Sequence, residues 1–507
     1  MKISRTFAAL LLALVLLAAP AAPLAQTGQQ QPAGLPAHPR ELKYTTLTYT
    51  PPKRDRYRHV LSNGVVVYAV EDHDLPLVNI STLVRTGSYL DPAGKEGLAA
   101  LVGSQMRAGG AGKMTAEQFD EAADFLAAQI TSGVGSTQGN ANLNLLAKDV
   151  DKGLSLYVDM LRTPAFQEDR LKLAKSQILQ QMERRNDNTT GIEAREWGRL
   201  LYGAEHFSTK ETTKASVESI TRQDLVDFHQ RYFQPGGFII AASGDFDTKE
   251  LLAKLEAAFR GWPASKQAVP DVPKPTQTPV AGVYTIHKPD VNQGRVSIGH
   301  TGTTRDNPDA YALEVMNDIL GGGGFTSRIM SRVRSDEGLA YSAGSSYGMG
   351  VYYPGAFRAA FQSKSATTAQ AIQIVLDEIN RIRTAKVSAE ELETAKNSLI
   401  ETFPRIFSTA AQVAATFAQD EYTKRPVDYW DTYRQRVAAL TADDVQRVAQ
   451  KYLDPSKLVI LVVGNIDDIT KGNPDHPEYS LTKLAATGQI RRIPLPDPLT
   501  MVYPPAP

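Results

Sequence analysis

Arg334 and Tyr341 are the two residues of this chain whose types and spacing best suit chemistry. They lie seven residues apart in GGGGFTSRIMSRVRSDEGLAYSAGSS, the segment from 321 to 346. Arginine is a permanent cation with a fork of N–H donors, and tyrosine adds one hydroxyl. Together they can hold a peptide carbonyl or a developing oxyanion, so the pair predicts a substrate clamp. The structural alternative is a surface arginine beside a tyrosine that packs a core.

The glycine run Gly321–Gly324 immediately precedes the predicted helix that carries Arg334. Its freedom at positive φ allows two interpretations: a loop that adjusts when substrate enters, or a tight turn before the helix. No Lys followed by Ser or Thr stands after it at P-loop spacing, so the run is not a phosphate cradle.

Composition sets the class of protein. The chain has 507 residues, 42% of them hydrophobic and 22% charged, which predicts more than one soluble domain of helices and strands. The 55 basic residues equal the 55 acidic ones, so charge gives no argument for nucleic acid or an anionic membrane surface. The absence of cysteine excludes disulfides and thiolate metal ligands.

The N-terminus has the pattern of a secretory signal over residues 1–25. Lys2 and Arg5 precede an apolar run, which small residues follow up to Ala25. The run is shorter than the roughly 20 residues that span a bilayer, and no later run reaches that length. We therefore expect export, to a bacterial periplasm, with no transmembrane span in the mature chain; retention of the segment as an anchor stays open. Residues 26–40 are predicted to be a flexible lead-in.

An internal repeat predicts two homologous halves. TRQDLVDFHQRYFQPGGFIIAASGDFD begins at Thr221, and TADDVQRVAQKYLDPSKLVILVVGNID begins at Thr441, 220 residues later. Each copy predicts a capped helix, a proline turn and a buried strand. The proline-rich segment 263–282 between the halves is typical of a stiff extended linker.

The predicted layout is an N-terminal domain over 41–262, the linker, a C-terminal domain over 283–470 and a tail over 471–507 that either wraps or hangs loose. Each half begins with two strands, over 65–70 and 78–84 or over 283–287 and 295–300, before its long helices. Capping signals stand at Thr115 and Ser388. The expected fold class is α+β, with a mixed or antiparallel sheet in each half and helices packed on one face.

Two motifs carry a resemblance to a known family. One is the glycine run followed by SRxxxxxRxxxGLAY, and the other is LSNG at 61–64 followed by VVVYAVEDHDLPLVNISTLVRTGSYLDPAGKEGLA. They resemble the pitrilysin/insulinase family of zinc peptidases, particularly its mitochondrial-processing-peptidase-like branch, over almost the whole chain after the signal. The resemblance implies two clam-like halves around a chamber, with Arg334 and Tyr341 completing a zinc site.

The zinc motif of that family is missing from the expected place. Active relatives carry H-x-x-E-H on a helix, and another glutamate ligand follows some 75 residues later. The aligned text here is GLAALVGSQM, with Ala100, Gly103 and Ser104 at the motif positions. The downstream position falls at Gln180 or Gln181. The resemblance therefore implies that this chain binds no metal; His73, in the turn EDHD, is a solvated turn residue or a weak metal ligand.

The retained Arg334 and Tyr341, together with the missing zinc motif, predict a subunit that is not active alone. The resemblance implies the zinc-less member of a heterodimeric metallopeptidase that cleaves peptides or unstructured proteins. A homologous partner with the intact motif would bind the zinc, and this chain would supply Arg334 and Tyr341 as substrate-binding residues. The alternative is a metal-free peptide-binding or scaffold protein of the cell envelope, and a third option is a homodimer with hidden activity.

Overall fold

The two copies of the repeat fold alike in a computed structural model of the chain. Thr221 and Thr441 each accept a hydrogen bond from the backbone N–H three residues on, and each closes a capping box. The helices that follow end at Tyr232 and Tyr452 and lead through proline turns into strands in which every residue is buried. The prediction of capped helix, turn and buried strand is confirmed in both halves.

The structure describes residues 42, 48–262, 268–485 and 489–505. The predicted signal and lead-in, and residues 263–267 of the predicted linker, lie outside these ranges. The described residues from Tyr49 onward form one compact unit. Within the described ranges, no helix combines the length and the apolar character needed to cross a bilayer.

Fourteen strands are present in the described residues: β1 Arg58–Val60, β2 Val66–Glu71, β3 Leu77–Val84, β4 Gln129–Val134, β5 Gly139–Leu146, β6 Phe238–Gly244, β7 Gly282–His287, β8 Gln293–Thr301, β9 Thr303–Thr304, β10 Ala340–Tyr347, β11 Met349–Gly350, β12 Ala356–Lys364, β13 Val459–Gly464 and β14 Ile490–Arg492.

The α-helices of the same ranges are α1 Leu98–Ala108, α2 Ala116–Phe125, α3 Val150–Arg162, α4 Glu168–Glu183, α5 Thr189–Tyr202, α6 Lys214–Ser219, α7 Arg222–Tyr232, α8 Thr248–Ala258, α9 Ala310–Asn317, α10 Arg328–Met330, α11 Thr368–Thr384, α12 Ala389–Thr402, α13 Ala410–Thr423, α14 Tyr429–Ala438, α15 Ala442–Tyr452, α16 Ile466–Lys471 and α17 Leu481–Leu484. Two π-helical turns occur, at Asp318–Gly322 and Ser331–Asp336.

Twelve of these strands form two six-stranded sheets, and β9 and β11 form a two-stranded one. The large sheets match in five strands and differ at one edge, where β1 is antiparallel to β2 but β14 is parallel to β7. Sheet 1 has the order β1-β2-β6-β3-β5-β4, and sheet 2 has the order β14-β7-β13-β8-β12-β10. In both, the strand of the repeat is parallel to one neighbour and antiparallel to the other: β6 lies between β2 and β3, and β13 lies between β7 and β8. Two mixed sheets with helices packed on them confirm the predicted fold class.

Both faces of each sheet are covered, rather than the one face expected from the sequence. Successive residues of a strand point to opposite faces, so Val67 and Ala69 join the core of the N-terminal half while Tyr68 and Val70 point away from it. The second face of sheet 1 packs against α13, whose Phe417 ring lies near that of Tyr68. A helix of the C-terminal half thus completes the N-terminal one.

Sheet 2 receives a helix in return. Ile192, Trp197 and Leu201 of α5 pack with Val459, Leu461 and Val463 of β13 in a separate apolar cluster. Helix α5 begins 221 residues before α13, close to the repeat offset, so the two are equivalent elements. The halves therefore exchange equivalent helices, and neither sheet is covered by its own half alone.

The linker and the tail also connect the halves. Residues 268–281 contain no helix or strand, and the side chains of Tyr89 and His206 hydrogen-bond to the carbonyls of Pro270 and Pro273. The tail adds β14 to sheet 2 and then returns to the N-terminal half, where Tyr503 donates to Glu196. Of the two tail conformations left open by the sequence, the described residues adopt the wrapping one.

A buried carboxylate fixes α5 to sheet 2. Glu193 is 1% exposed and accepts hydrogen bonds from Arg295 and Ser297 of β8. Arg358 of β12 lies 2.7 Å from the same carboxylate. Two guanidinium groups and a hydroxyl therefore compensate one desolvated charge at the surface where the halves meet.

We expect Glu193→Gln to lower the free energy of unfolding by about 2–4 kcal/mol, because it leaves two partly buried arginines without their anion. Urea unfolding followed by circular dichroism measures the change. Glu183→Gln, at an exposed position of α4, is the matched control. Equal stability of the two variants would contradict the role of this carboxylate.

Candidate functional site

Arg334 lies in the π-helical turn Ser331–Asp336, between α10 and β10. Two apolar residues anchor this turn. Ile329 of α10, just before it, and Val333 within it are fully buried in the core. Gly338, at φ 63°, closes it toward β10 through a hydrogen bond from its N–H to the Arg334 carbonyl. Irregular turns of this kind place a side chain where a regular helix would not.

The guanidinium of Arg334 is stacked between two aromatic rings. Its Cζ lies 4.7 Å from the ring centre of Tyr341 and 4.7 Å from that of Phe325. Both rings are exposed, Phe325 by 67% and Tyr341 by 83%. Among the described residues Arg334 has no hydrogen bond or ion pair to a side chain, so its N–H edge is available to an acceptor from outside.

Tyr341 lies on an edge strand, at an irregularity in its pairing. Strand β10 is the last strand of sheet 2, and its register with β12 shifts between Ala340 and Ala343. The extra residue bends the strand locally, as β-bulges beside functional sites do. The structure thus brings Arg334 and Tyr341 together, with the tyrosine exposed rather than in a core.

The glycine run is closely packed at its start. A Cβ on Gly321 would lie 2.4 Å from the backbone nitrogen of Ser345, so only glycine lets this segment approach β10. The side chain of Asn317 bonds to Ser345 across the same contact. Gly324 has a φ of 62° and open space around it, which suits a turn. The geometry favours the tight-turn interpretation of the run.

An ion pair anchors the Arg334 segment to its neighbouring helix. Arg328 of α10 donates from Nε and Nη2 to the two carboxylate oxygens of Glu391, at 2.6 and 3.0 Å. Glu391 is also the third residue of the capping box that Ser388 opens in α12. These partners lower the pKa of Glu391 to about 2 although its partial burial acts in the opposite direction.

The positions of the zinc motif lie on α1 and carry no metal-binding group. Ala100 and Ser104 are exposed, and the Ser104 hydroxyl donates to the Leu101 carbonyl within the helix. Gln180 and Gln181 are exposed on α4. None of these side chains is an imidazole or a carboxylate, the ligands that zinc takes in catalytic sites.

At Gly103 the packing also leaves no room for a side chain. A Cβ there would lie 2.3 Å from the backbone nitrogen of Val134, because β4 packs directly on α1. The Ser132 hydroxyl of β4 donates to the Gly103 carbonyl at 2.6 Å and fixes this approach. A glutamate at 103, where active relatives carry the water-activating residue, does not fit this packing.

No other metal site replaces it in the ranges that the structure describes. No three His, Cys, Asp or Glu side chains there are grouped closely enough to hold a metal ion. His73 is exposed and pairs with Asp245 at 2.7 Å, and this hydrogen bond raises its pKa. Its geometry is that of a solvated turn histidine with an acidic partner. The residues present do not fit a zinc ion.

The known proteins that this chain resembles are zinc proteases and inactive proteins similar to them. Residues 219–399 match the family model of the peptidase M16 inactive domain. Over these residues the chain is similar to the inactive, C-terminal domain of M16 peptidases. A non-peptidase homolog of Helicobacter pylori, YmxG, is 22% identical over 404 residues, which are 79% of this chain and 91% of that protein.

An uncharacterized zinc protease of Rickettsia bellii is 22% identical to this chain over 346 residues, which are 67% of this chain and 81% of that protein. A peptidase M16 inactive domain from Pseudomonas fluorescens has the same fold, with a TM-score of 0.72 at 24% identity; the match covers 80% of this chain and 97% of that one. The predicted resemblance is confirmed. The matched residues 219–399 include the segment that carries Arg334 and Tyr341.

Phe325 is the member of the aromatic pair that sequence reasoning missed. The residue directly follows the glycine run, and an exposed aromatic at that place was the available signal. Its nine-residue separation from Arg334 gives no hint of contact, since the chain between them passes through a turn, α10 and a π-turn. Only the folded segment brings the ring onto the guanidinium.

We expect Phe325→Ala to raise the rate at which phenylglyoxal modifies Arg334 by about two- to fivefold, because one stacked face of the guanidinium is lost. Mass spectrometry of the digest measures the rate, with exposed Arg381 as an internal reference. Phe325→Trp retains a ring and is expected to leave the rate near that of the parent. An unchanged ratio in Phe325→Ala would contradict the stacking.

We expect Glu391→Gln to destabilise the protein by about 2 kcal/mol at pH 7, since the buried Arg328 loses its anion. The folded pKa of Glu391 is below the unfolded one, so its contribution is present above about pH 4.5 and is lost as the pH falls toward 2. The difference from the parent should shrink over that window in urea unfolding. Glu393→Gln, exposed on α12, is the control; a difference independent of pH would count against the pair.

Proposed function

We propose that this chain is the zinc-less subunit of a heterodimeric metallopeptidase and that Arg334 and Tyr341 bind the substrate of the partner's active site. The observation that carries the proposal is the stacked guanidinium, which presents unpaired N–H groups between two exposed rings. Because the guanidinium is already held in position, no further free energy is needed to orient it when a carbonyl or an oxyanion binds. A purely structural arginine would have its N–H groups satisfied by acceptors of the chain itself instead.

The surroundings of the pair suit an extended peptide. Strand β10 is an edge strand. Gly321 and Asn317 cover it at Ser345, so the part near Tyr341 is where the backbone of a peptide would add to sheet 2. Tyr341, in the bulge of that strand, would then lie beside the peptide backbone and donate its phenolic O–H. Substrates that present extended backbone are peptides and unstructured proteins.

The partner in this proposal is a homologous subunit with an intact H-x-x-E-H. Its zinc ion would supply the activated water, which this chain lacks the residues to generate. In this division of roles the closed packing at Gly103 is harmless, because nothing is required of α1 beyond its place in the fold. The N-terminal pattern of residues 1–25 further supports a place in the periplasm.

We expect hydrolysis of a quenched unstructured peptide only when the chain is mixed with such a partner. In the mixture, Arg334→Ala should lower kcat/KM about 100-fold and Tyr341→Phe about tenfold, the effect of removing donors to a developing charge. Arg405→Ala, at an exposed position of the same half, is the control. Circular dichroism confirms that each variant is folded.

The other outcomes decide between functions. Unchanged turnover in the Arg334 and Tyr341 variants would remove the clamp role. Activity and bound zinc in the lone chain would favour the homodimer with hidden activity. A mixture that neither forms a complex nor hydrolyses peptide would favour the scaffold or peptide-binding alternative.

A further inference from the structure

A cavity of about 670 Å³ lies where the two halves and the linker meet. Its wall includes Arg85 after β3, Pro270 and Lys274 of the linker, Tyr352 between β11 and β12, and Lys424 after α13. We call this space the seam cavity. Its volume is in the range of small-molecule sites. Neither Arg334, Tyr341 nor Ala100 lines it, so it is separate from the proposed clamp and from the closed metal position.

The lining of the seam cavity is cationic although the chain as a whole has a formal charge of zero. Five basic residues face two acidic ones in its wall: Arg85, Arg231, Lys274, Arg305 and Lys424 against Asp271 and Asp306. Asp306 lies 3.6 Å from Arg305 and compensates part of this charge. The remaining excess, at a concave surface with protein on several sides, favours an anionic occupant.

Arg85 is held in place without an anion. Its Cζ lies 4.8 Å from the ring centre of Tyr422, and that buried tyrosine donates its hydroxyl to the Thr137 carbonyl at 2.6 Å. No described residue accepts a hydrogen bond from the Arg85 guanidinium or pairs with it. The position of the cation is therefore fixed by an aromatic face while its donors stay unused.

Lys424 reaches the wall of the cavity in an unfavourable backbone conformation. It ends α13 with φ 56° and ψ 42°, the left-handed region that glycine or asparagine adopts at such helix ends. A lysine there costs about 1 kcal/mol relative to glycine. A strained residue that carries a charge into a cavity is an indication of function.

Tyrosine hydroxyls add neutral donors to the same wall. Tyr232 and Tyr352 line the cavity together with Tyr89, whose own hydroxyl donates to the linker carbonyl of Pro270. Phenolic O–H groups beside guanidinium and ammonium groups are the donors that carboxylate and phosphate oxygens accept. The wall thus combines charge and hydrogen-bond donors from both halves.

We propose that the seam cavity binds a small organic anion that carries two or more carboxylate or phosphate groups. One group of the ligand accepts from Arg85, and another pairs with Lys424. Because these residues belong to different halves of the chain, the bound anion bridges them. This site is independent of the peptidase role proposed above.

Isothermal titration calorimetry at constant ionic strength tests the site on the chain itself, with citrate as the carboxylate probe and pyrophosphate as the phosphate probe. Saturable binding of either probe is expected, and preference between them assigns the class. Arg85→Gln and Lys424→Gly should each weaken it about tenfold, the effect of one charge-assisted hydrogen bond. Lys249→Gln, exposed on α8 away from the cavity, should bind as the parent does.

Lys424→Gly carries a second readout that a merely structural lysine would not give. Glycine relieves the left-handed backbone, so the Tm without ligand should stay equal or rise while the affinity falls. Absence of binding by both probes, or equal affinity in the parent and the Arg85 and Lys424 variants, would overturn the proposal. A drop in Tm of Lys424→Gly together with unchanged affinity would assign Lys424 to stability alone and overturn its role as a ligand.

Discussion

The structure depends on one constraint: each six-stranded sheet has apolar residues on both of its faces, and the helices of its own half cover only one face. The chain satisfies it by exchanging equivalent helices, α5 onto sheet 2 and α13 onto sheet 1. Burial of apolar side chains at these contacts stabilises both halves at once. Neither half can then be completed without the other, and Glu193 with its two arginines fixes the exchange at one point.

The same packing determines what each half can do. In the N-terminal half β4 lies directly on α1, which leaves no room for a side chain at Gly103 and removes the position from which water would be activated. In the C-terminal half the corresponding edge strand, β10, is bulged near Tyr341 and is approached by Gly321 at Ser345 in the same way, and the Arg334 turn lies beside it. The two edges therefore differ less in packing than in the exposed Arg334 and Tyr341 beside the second one.

The amino-acid sequence was sufficient to predict the features that depend on local chemistry or that its internal repeat reveals. The Thr221 and Thr441 caps, the buried strands after them and the empty motif at Ala100 needed only side-chain types and spacing. It was not sufficient for the ring of Phe325 on Arg334, the bulge at Tyr341 or the approach of β4 to Gly103. Each of these is a contact between segments whose separation along the chain carries no periodic signal.

By itself the sequence determined two halves, the type of sheet in each, the absence of metal ligands on α1 and the identity of a candidate clamp. It could do so because hydrophobic patterning, helix capping and side-chain chemistry are properties of residues that are neighbours along the chain. Tertiary structure alone decided which helix covers which sheet, which edge strand Arg334 and Tyr341 lie beside, and that Arg85 and Lys424 line one cavity. The physical reason is that apolar faces specify burial but not the partner that buries them. That choice is made by shape and by a few buried charges, which act only once the chain is folded.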